Sequence, residues 1–248
     1  GALGAFVVSN TPSILKATGK ALGGAFKPSA ITKAFYMSLM ALMYEILTKV
    51  RKEGLMSIEG DVEEPEQSPL FQKYPEVLAD HHIVEFLTDY LRLMVSGNLN
   101  PMEIENLMDG ELETHHQEAH TPQSAVQQMA DGLPAFGIVA AVMGVVHVMG
   151  SVGQVSNAEL GVMIAAALVG TFLGILLAYG FVGPLASIIN HKIAESSKPF
   201  ECVKTTLLAS LNGYSPALAV EFGRKVLYST ERPTFIELEE HVKSTKGK

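Results

Sequence analysis

Tryptophan is absent from this 248-residue chain, cysteine occurs once, and charged side chains make up only 18% of it. A lone thiol, Cys202, leaves no partner for an internal disulfide and excludes a cysteine-based zinc site; it suits a compartment in which thiols stay reduced. An average soluble domain carries roughly 25% charged residues. The shortage here, with 48% hydrophobic residues, excludes a disordered chain. A formal charge of −8 excludes a basic nucleic-acid binder. The mean hydropathy of +0.24 conceals an uneven distribution.

Between residues 131 and 159 there is no Asp, Glu, Lys or Arg, and His147 is the one ionisable side chain. Residues 160 to 190 lack all four types again. Each run exceeds the roughly 20 apolar residues that cross a bilayer core as a helix. Buried core helices of a large soluble protein are the alternative, but two such runs in tandem favour a membrane hairpin. The connector SVGQVSNAEL carries no Lys or Arg, whereas Lys192, Lys198 and Lys204 follow the second run. Positive residues mark the cytoplasmic side, so the hairpin starts and ends inside. Lys16, Lys20, Lys27 and Lys33 follow the apolar fragment GALGAFVV in the same way. That fragment is too short to span and reads as the exit end of a further membrane helix.

The remaining charge is partitioned. Residues 53 to 120 hold sixteen acidic side chains and two basic ones, Lys73 and Arg92, a net −14. An acidic lobe kept from an anionic leaflet by a basic collar is electrostatically sensible, although most of these residues read simply as solvated helix faces. Apolar positions recur at three and four in ITKAFYMSLMALMYEILTKVRKEG, with Gly54 as C-cap, and in HHIVEFLTDYLRLMVSG, which stops at Gly97. Pro101 opens PMEIENLMDGELETHHQ with acidic residues in the first turns. EGDVEEPEQSPLFQKYP reads as a proline-containing connector. The C-terminal helical runs are IAESSKPFECVKTTLLASLNG, broken by Pro199, then SPALAVEFGRKVLYS and TFIELEEHVKS. The fold class is all-α, an integral membrane helical protein with a large cytoplasmic helical region. The expected segments are 1–9 (end of a membrane helix), 10–128 (cytoplasmic), 129–153 and 161–189 (membrane helices), 154–160 (periplasmic connector) and 190–248 (cytoplasmic C-terminal helices).

Enzyme chemistry finds no foothold. His116 and His120 stand one turn apart beside His115, but the Glu of an HExxH zinc motif is missing, and exposed polar helix is the better reading. No phosphate loop, GxSxG elbow or nucleophile–base pair is present. The apolar runs say more. Ala140, Ala141 and Gly144 in the first, and Gly170 and Gly174 (spaced as GxxxG) in the second, allow close helix approach where hydrophobicity gives no drive to associate. Pro134 opens the first membrane helix; Pro184, late in the second, frees a carbonyl as a structural kink or a functional hinge. Thr171 and Tyr179 add hydroxyls. No carboxylate lies within either span, and Glu159 sits at the outer mouth. A protein moving protons through lipid exposes an ionisable relay to a cavity, so any ion path here needs a carboxylate from another polypeptide.

Whole phrases of the chain resemble the MotA family, the A subunits of the proton-driven flagellar stator. They include LPAFGIVAAVMGVVHVMG (133–150), VGTFLGILLAYGF (169–181), LNGYSPALAVEFGRK (211–225), ERPTFIELEEHV (231–242), YPEVLADHH and DYLRLMVSGNLNPMEIENLMDGELETH. The resemblance implies four membrane helices in a complete subunit, with GALGAFVV as the end of the second. It implies a homo-oligomer, a pentameric ring around a MotB dimer that supplies the proton-binding aspartate, in the bacterial inner membrane. Pro134 and Pro184 fall on the family's coupling prolines, Thr171 on its pore-side hydroxyl, and Tyr179 lies in the same span. Ala141 stands where sodium-driven relatives tend to carry Thr; without that oxygen ligand protons are the expected coupling ion, and no cofactor or metal is expected. RKEGLMSIE places Arg51 and Glu59 on the two charged positions that face FliG of the rotor. Neither site is catalytic. The rivals are an ExbB/TolQ-like proton-driven energiser, disfavoured by the long cytoplasmic loop, and a non-conducting membrane scaffold. A small-molecule transporter lacks polar binding groups in the spans and a visible inverted repeat.

Overall fold

The computed structural model describes residues 1–97 and 100–245, and all regular structure among them is helical. Residues 246–248, inside the expected segment 190–248, lie outside the described ones. In chain order the α-helices are α1 (Ala2–Ser9), α2 (Pro12–Ala25), α3 (Lys33–Glu53), α4 (Glu59–Glu63), α5 (Pro69–Gln72), α6 (Pro75–Leu78), α7 (His81–Ser96), α8 (Pro101–Gly150), α9 (Asn157–Leu177), α10 (Gly183–Leu211), α11 (Pro216–Lys225) and α12 (Phe235–Thr245). A 3₁₀ turn, Leu55–Ile58, precedes α4, and a π-helical turn, Ala178–Val182, joins α9 to α10. The chain divides into two units: residues 1–28 with 117–193, and residues 29–116 with 194–248.

The second unit is built around α3. The Thr32 hydroxyl accepts a hydrogen bond from the Phe35 N–H at its start, and Gly54, at φ 87°, ends it. That left-handed backbone favours glycine. α7 follows the same plan, capped by Asp80 and stopped by Gly97 at φ 78°. Leu39, Met43 and Leu47 of α3 pack with Phe86 and Leu91 of α7, Ile104 and Met108 of α8, Val203 and Leu207 of α10, and Val220 of α11. Full burial of such a side chain is worth roughly 1.5–3 kcal/mol.

Two expectations are corrected in this unit. The segment read as a connector folds into α4, α5 and the first residue of α6, burying Val62, Phe71 and Tyr74 in the core. Pro69 and Pro75 each open a helix, where the missing N–H costs nothing, and the Ser68 hydroxyl accepts from the Leu70 and Phe71 N–H groups. Pro199 does not break α10. Its ring is buried beside Phe200, Cys202 and Val203, and that packing outweighs one lost backbone hydrogen bond. The same burial pushes the Cys202 thiol up to about 12, which keeps it protonated and inert. The histidines are also less exposed than expected: His115 and His116 are half-buried, and the His115 ring lies 4.8 Å from that of Phe200.

α12 begins with a reciprocal cap. The Glu237 carboxylate accepts from the Thr234 N–H at 2.6 Å, and the Thr234 hydroxyl accepts from the Glu237 N–H at 3.2 Å. Lys33 of α3 donates to the same carboxylate at 2.7 Å. Lys33, with the Thr234 backbone and hydroxyl, holds the Glu237 carboxyl down at about 2. A depressed folded-state value contributes stability above the ordinary carboxylate range that disappears as pH falls through the folded value. Amide protection across α12 is therefore expected to persist to about pH 4.5 and to fall between there and about pH 2, ahead of α3. Hydrogen exchange corrected for intrinsic rates measures it, and Glu237→Gln should flatten the response.

Candidate functional site

The first unit contains the membrane hairpin. α8 stays helical through Pro122 and Pro134 to Gly150, so Pro134 lies inside a helix and does not open one. Proline removes a single intrahelical hydrogen bond, and the helix-forming residues before it carry the helix through. Ser156 caps α9: its hydroxyl accepts from the Glu159 N–H at 3.3 Å while the Glu159 carboxylate accepts from the Ser156 N–H at 2.9 Å. That capping box starts the helix at Asn157, four residues before the expected 161. Gly153, at φ 82°, turns the short link between the arms.

The arms are held by small residues at matched spacing. A methyl group on Gly137 would stand 2.7 Å from the Gly170 carbonyl oxygen, and one on Gly174 would stand 2.7 Å from the Leu133 carbonyl. Gly170 faces the Ala140 Cβ, and Gly144 faces Ala167. Pairing therefore runs antiparallel from Leu133–Gly174 to Gly144–Ala167. Gly137, Ala140 and Gly144 recur at three and four, as do Ala167, Gly170 and Gly174. Backbone contact replaces the hydrophobic drive that lipid does not supply. Across the seam the Thr171 hydroxyl donates to the Gly137 carbonyl at 3.3 Å. Away from it, Val139, Val142, Val146, Val169, Phe172 and Ile175 are exposed, an apolar surface suited to lipid or to other membrane helices.

The structure sets Thr171 against α8 at Gly137. Pro134 and Ala141, seven residues apart, share one side of that helix, before and after Gly137 in the chain. Tyr179 and Pro184 stand apart from these residues. Tyr179 is 74% exposed on the π-helical turn, and Pro184 is exposed two residues past its end. The turn has a local cause. Pro184 offers no N–H and its ring crowds the carbonyl four residues back. Widening relieves this, and the Gly183 N–H bonds to the carbonyl of Ala178, five residues earlier. Periodicity cannot register one extra residue in a turn; Pro184 after two glycines was the available signal. Gly137 and Ala167, also missed from the sequence, share the three-and-four spacing of the small residues recognised there.

In the second unit, Arg51 lies in the last turn of α3 and Glu59 opens α4. Both are exposed, and neither makes an ion pair or side-chain hydrogen bond among the described residues. What fixes them is next door. Lys49 donates to Asp61 at 2.7 Å, and the Ser68 hydroxyl donates to the other Asp61 oxygen at 2.6 Å. Each partner is two residues from one of the exposed charges, so this half-buried pair ties the two bearing elements across the Gly54 turn. Among the described residues no three His, Cys, Asp or Glu side chains are placed to hold a metal ion.

The MotA/TolQ/ExbB proton channel family matches residues 79–202, and the motility protein A N-terminal family matches residues 1–54. Motility protein A of Escherichia coli strain K12 is 56% identical over 245 residues, covering 99% of this chain and 83% of its own. Chemotaxis protein LafT of Vibrio parahaemolyticus is 36% identical over 246 residues, 99% of this chain and 86% of its own. The flagellar MotAB stator complex of Bacillus subtilis has a chain of similar fold, with a TM-score of 0.70 at 23% identity, covering 97% of this chain and 84% of that one.

Proposed function

Because the chain belongs to the MotA/TolQ/ExbB proton channel family, and matches motility proteins A over nearly its whole length, we propose that it is the A-type stator subunit of a flagellar motor. Its role is mechanical rather than enzymatic. With a MotB-type partner it forms an oligomeric complex in the inner membrane, a pentameric ring about a partner dimer, that turns proton entry into torque on a FliG-type rotor protein. The observation that carries this reading is a hairpin with no carboxylate between residues 131 and 159 or from 160 to 190. The proton-binding aspartate then comes from the partner, and this subunit supplies the wall and the movement.

Protonation removes a buried charge whose exposure to lipid is costly. The transmembrane potential adds about 2.3 kcal/mol per charge per 100 mV, enough to bias a step. Pro134, Ala141 and Thr171 line the side of the hairpin where that step is felt, and Ala141, without a hydroxyl, favours protons over sodium. Tyr179, Pro184 and the π-helical turn give the second span a compliant point. Arg51 and Glu59 meet opposite charges on the rotor. Exposed pairs are worth less than about 1 kcal/mol each, suited to contacts that form and break repeatedly, and they steer and register the partner more than they hold it. The match of residues 1–54 to the motility-specific family favours this reading over an ExbB/TolQ-like energiser.

Arg51→Glu tests the rotor assignment. Stator recruitment in live cells is expected to slow severalfold and to lose part of its salt dependence, because rim charges act mainly on the association rate. Proton flux should be unchanged. Normal recruitment and torque with Arg51 reversed would remove Arg51 from the rotor face.

A further inference from the structure

α2 carries a charge pattern that the stator reading leaves unused. Its inward side, with Thr18 and Ala25 buried and Ala21 and Leu22 half-buried, packs with Ala119 and Val126 of α8 and with Ala186, Ile189 and Ile193 of α10. Its other side presents Lys16 and Lys20, one turn apart and exposed, and residues 10–28 contain no acidic side chain. Just past the helix Phe26 is 75% exposed, and the Lys192 ammonium donates to the Lys27 carbonyl at 2.5 Å, which places a further cation at the C-terminal end of this edge.

The depth of this edge follows from the helices it rests on. The exposed apolar surface runs from 136 to 152 and from 162 to 181. Val182 and Leu185, packed against the α2 cluster, follow it directly, while Val126 is ten residues before its start. At 1.5 Å per residue the nearest contacts, Val182 and Leu185, lie within about 6 Å of the apolar band, and those at Val126, Ile193 and Ala119 about 15 to 25 Å beyond it. Headgroups occupy roughly the first 5–8 Å there, and a lysine stem reaches several ångströms further toward them. α1 starts at the edge of the band, with Gly1 against the Phe136 ring; its last residue, Ser9, lines a small cavity that also includes Ala125 and Met129, and α2 begins three residues later.

We propose that α2 is a headgroup-binding element, with Lys16 and Lys20 engaging the phosphates of anionic phospholipids on the cytoplasmic side. This rests on the reading that the hairpin crosses the bilayer, and its test reads lipid binding rather than flux or torque, so the two fail separately. The full-length protein, purified with its B-type partner, is titrated with phosphatidylglycerol and with phosphatidylcholine and the bound lipids are counted by native mass spectrometry. With about 1 kcal/mol per basic residue near an anionic leaflet, Lys16→Gln/Lys20→Gln is expected to weaken phosphatidylglycerol binding about 30-fold. Phosphatidylcholine binding should be unchanged, Lys16→Arg/Lys20→Arg should bind like the parent, and soluble glycerol phosphate should not compete. Unchanged phosphatidylglycerol binding in the glutamine variant, equal loss of both lipids, loss in the arginine variant, or competition by glycerol phosphate would each overturn the assignment.

Discussion

Replacing Gly174 with valine is expected to abolish proton flux and to reduce the amount of folded protein in the membrane. A single methyl group there would already stand 2.7 Å from the Leu133 carbonyl and 3.2 Å from the Gly137 Cα, both backbone atoms without a flexible side chain to yield. The helices must separate, and separation also withdraws Thr171 from the Gly137 carbonyl. Overpacking of a tight site costs about 1–3 kcal/mol for small additions. In lipid no hydrophobic drive compensates, since lipid tails are as apolar as the side chains. Alanine should be milder, lowering flux about tenfold if the shift costs about 1.4 kcal/mol in the conducting state. Gly161→Ala, with open space around it, should leave flux and folding unchanged. Equal effects at the two glycines would show that helix propensity, not the seam, is responsible.

The second large effect concerns a buried charge in the other unit. Arg224 is 7% exposed, and its guanidinium donates twice to Glu221, at 2.6 and 2.5 Å, and once to the Pro233 carbonyl at 2.8 Å. The bond to Glu221 raises its affinity for the proton further. Glu221→Ala leaves this charge buried without its carboxylate, a loss of about 3–5 kcal/mol. Thermal unfolding of the purified complex should show a large fall in midpoint. The double variant Glu221→Leu/Arg224→Met should recover much of it, because the unpaired charge is gone. A double variant as unstable as Glu221→Ala would mean that the Pro233 contact, which secures the approach to α12, dominates.

Much of the architecture was legible because two strong signals agree. Chargeless runs marked the hairpin, and Gly54 and Gly97 marked helix ends through the one backbone region that favours glycine. Prolines are an uneven guide: Pro101 begins a helix as expected, but others do not behave as the sequence suggests. Pro134 and Pro199 lie within helices, and Pro69 and Pro75 begin them. Proline removes one N–H, and whether that ends a helix depends on packing that no local pattern records. At Pro199 it is burial; at Pro184 it is a widened turn. The seam was half visible. Gly170 and Gly174 advertised close packing, whereas Gly137 acquires meaning only from what it meets on the opposite helix. Arg51 and Glu59 are chemically ordinary exposed charges, and only the family resemblance singled them out. Their support by Lys49, Asp61 and Ser68 required the fold, since Lys49 and Ser68 are nineteen positions apart in the chain.

In the proposed function this subunit conducts protons only with a carboxylate lent by its partner. Full-length protein reconstituted in vesicles with the B-type partner, under an imposed potential and monitored with an internal pH dye, measures it directly. Flux is expected with both subunits, none with this subunit alone, and none when the partner's membrane aspartate is replaced by asparagine. Undiminished flux from this chain by itself, or flux indifferent to that aspartate, would contradict the account.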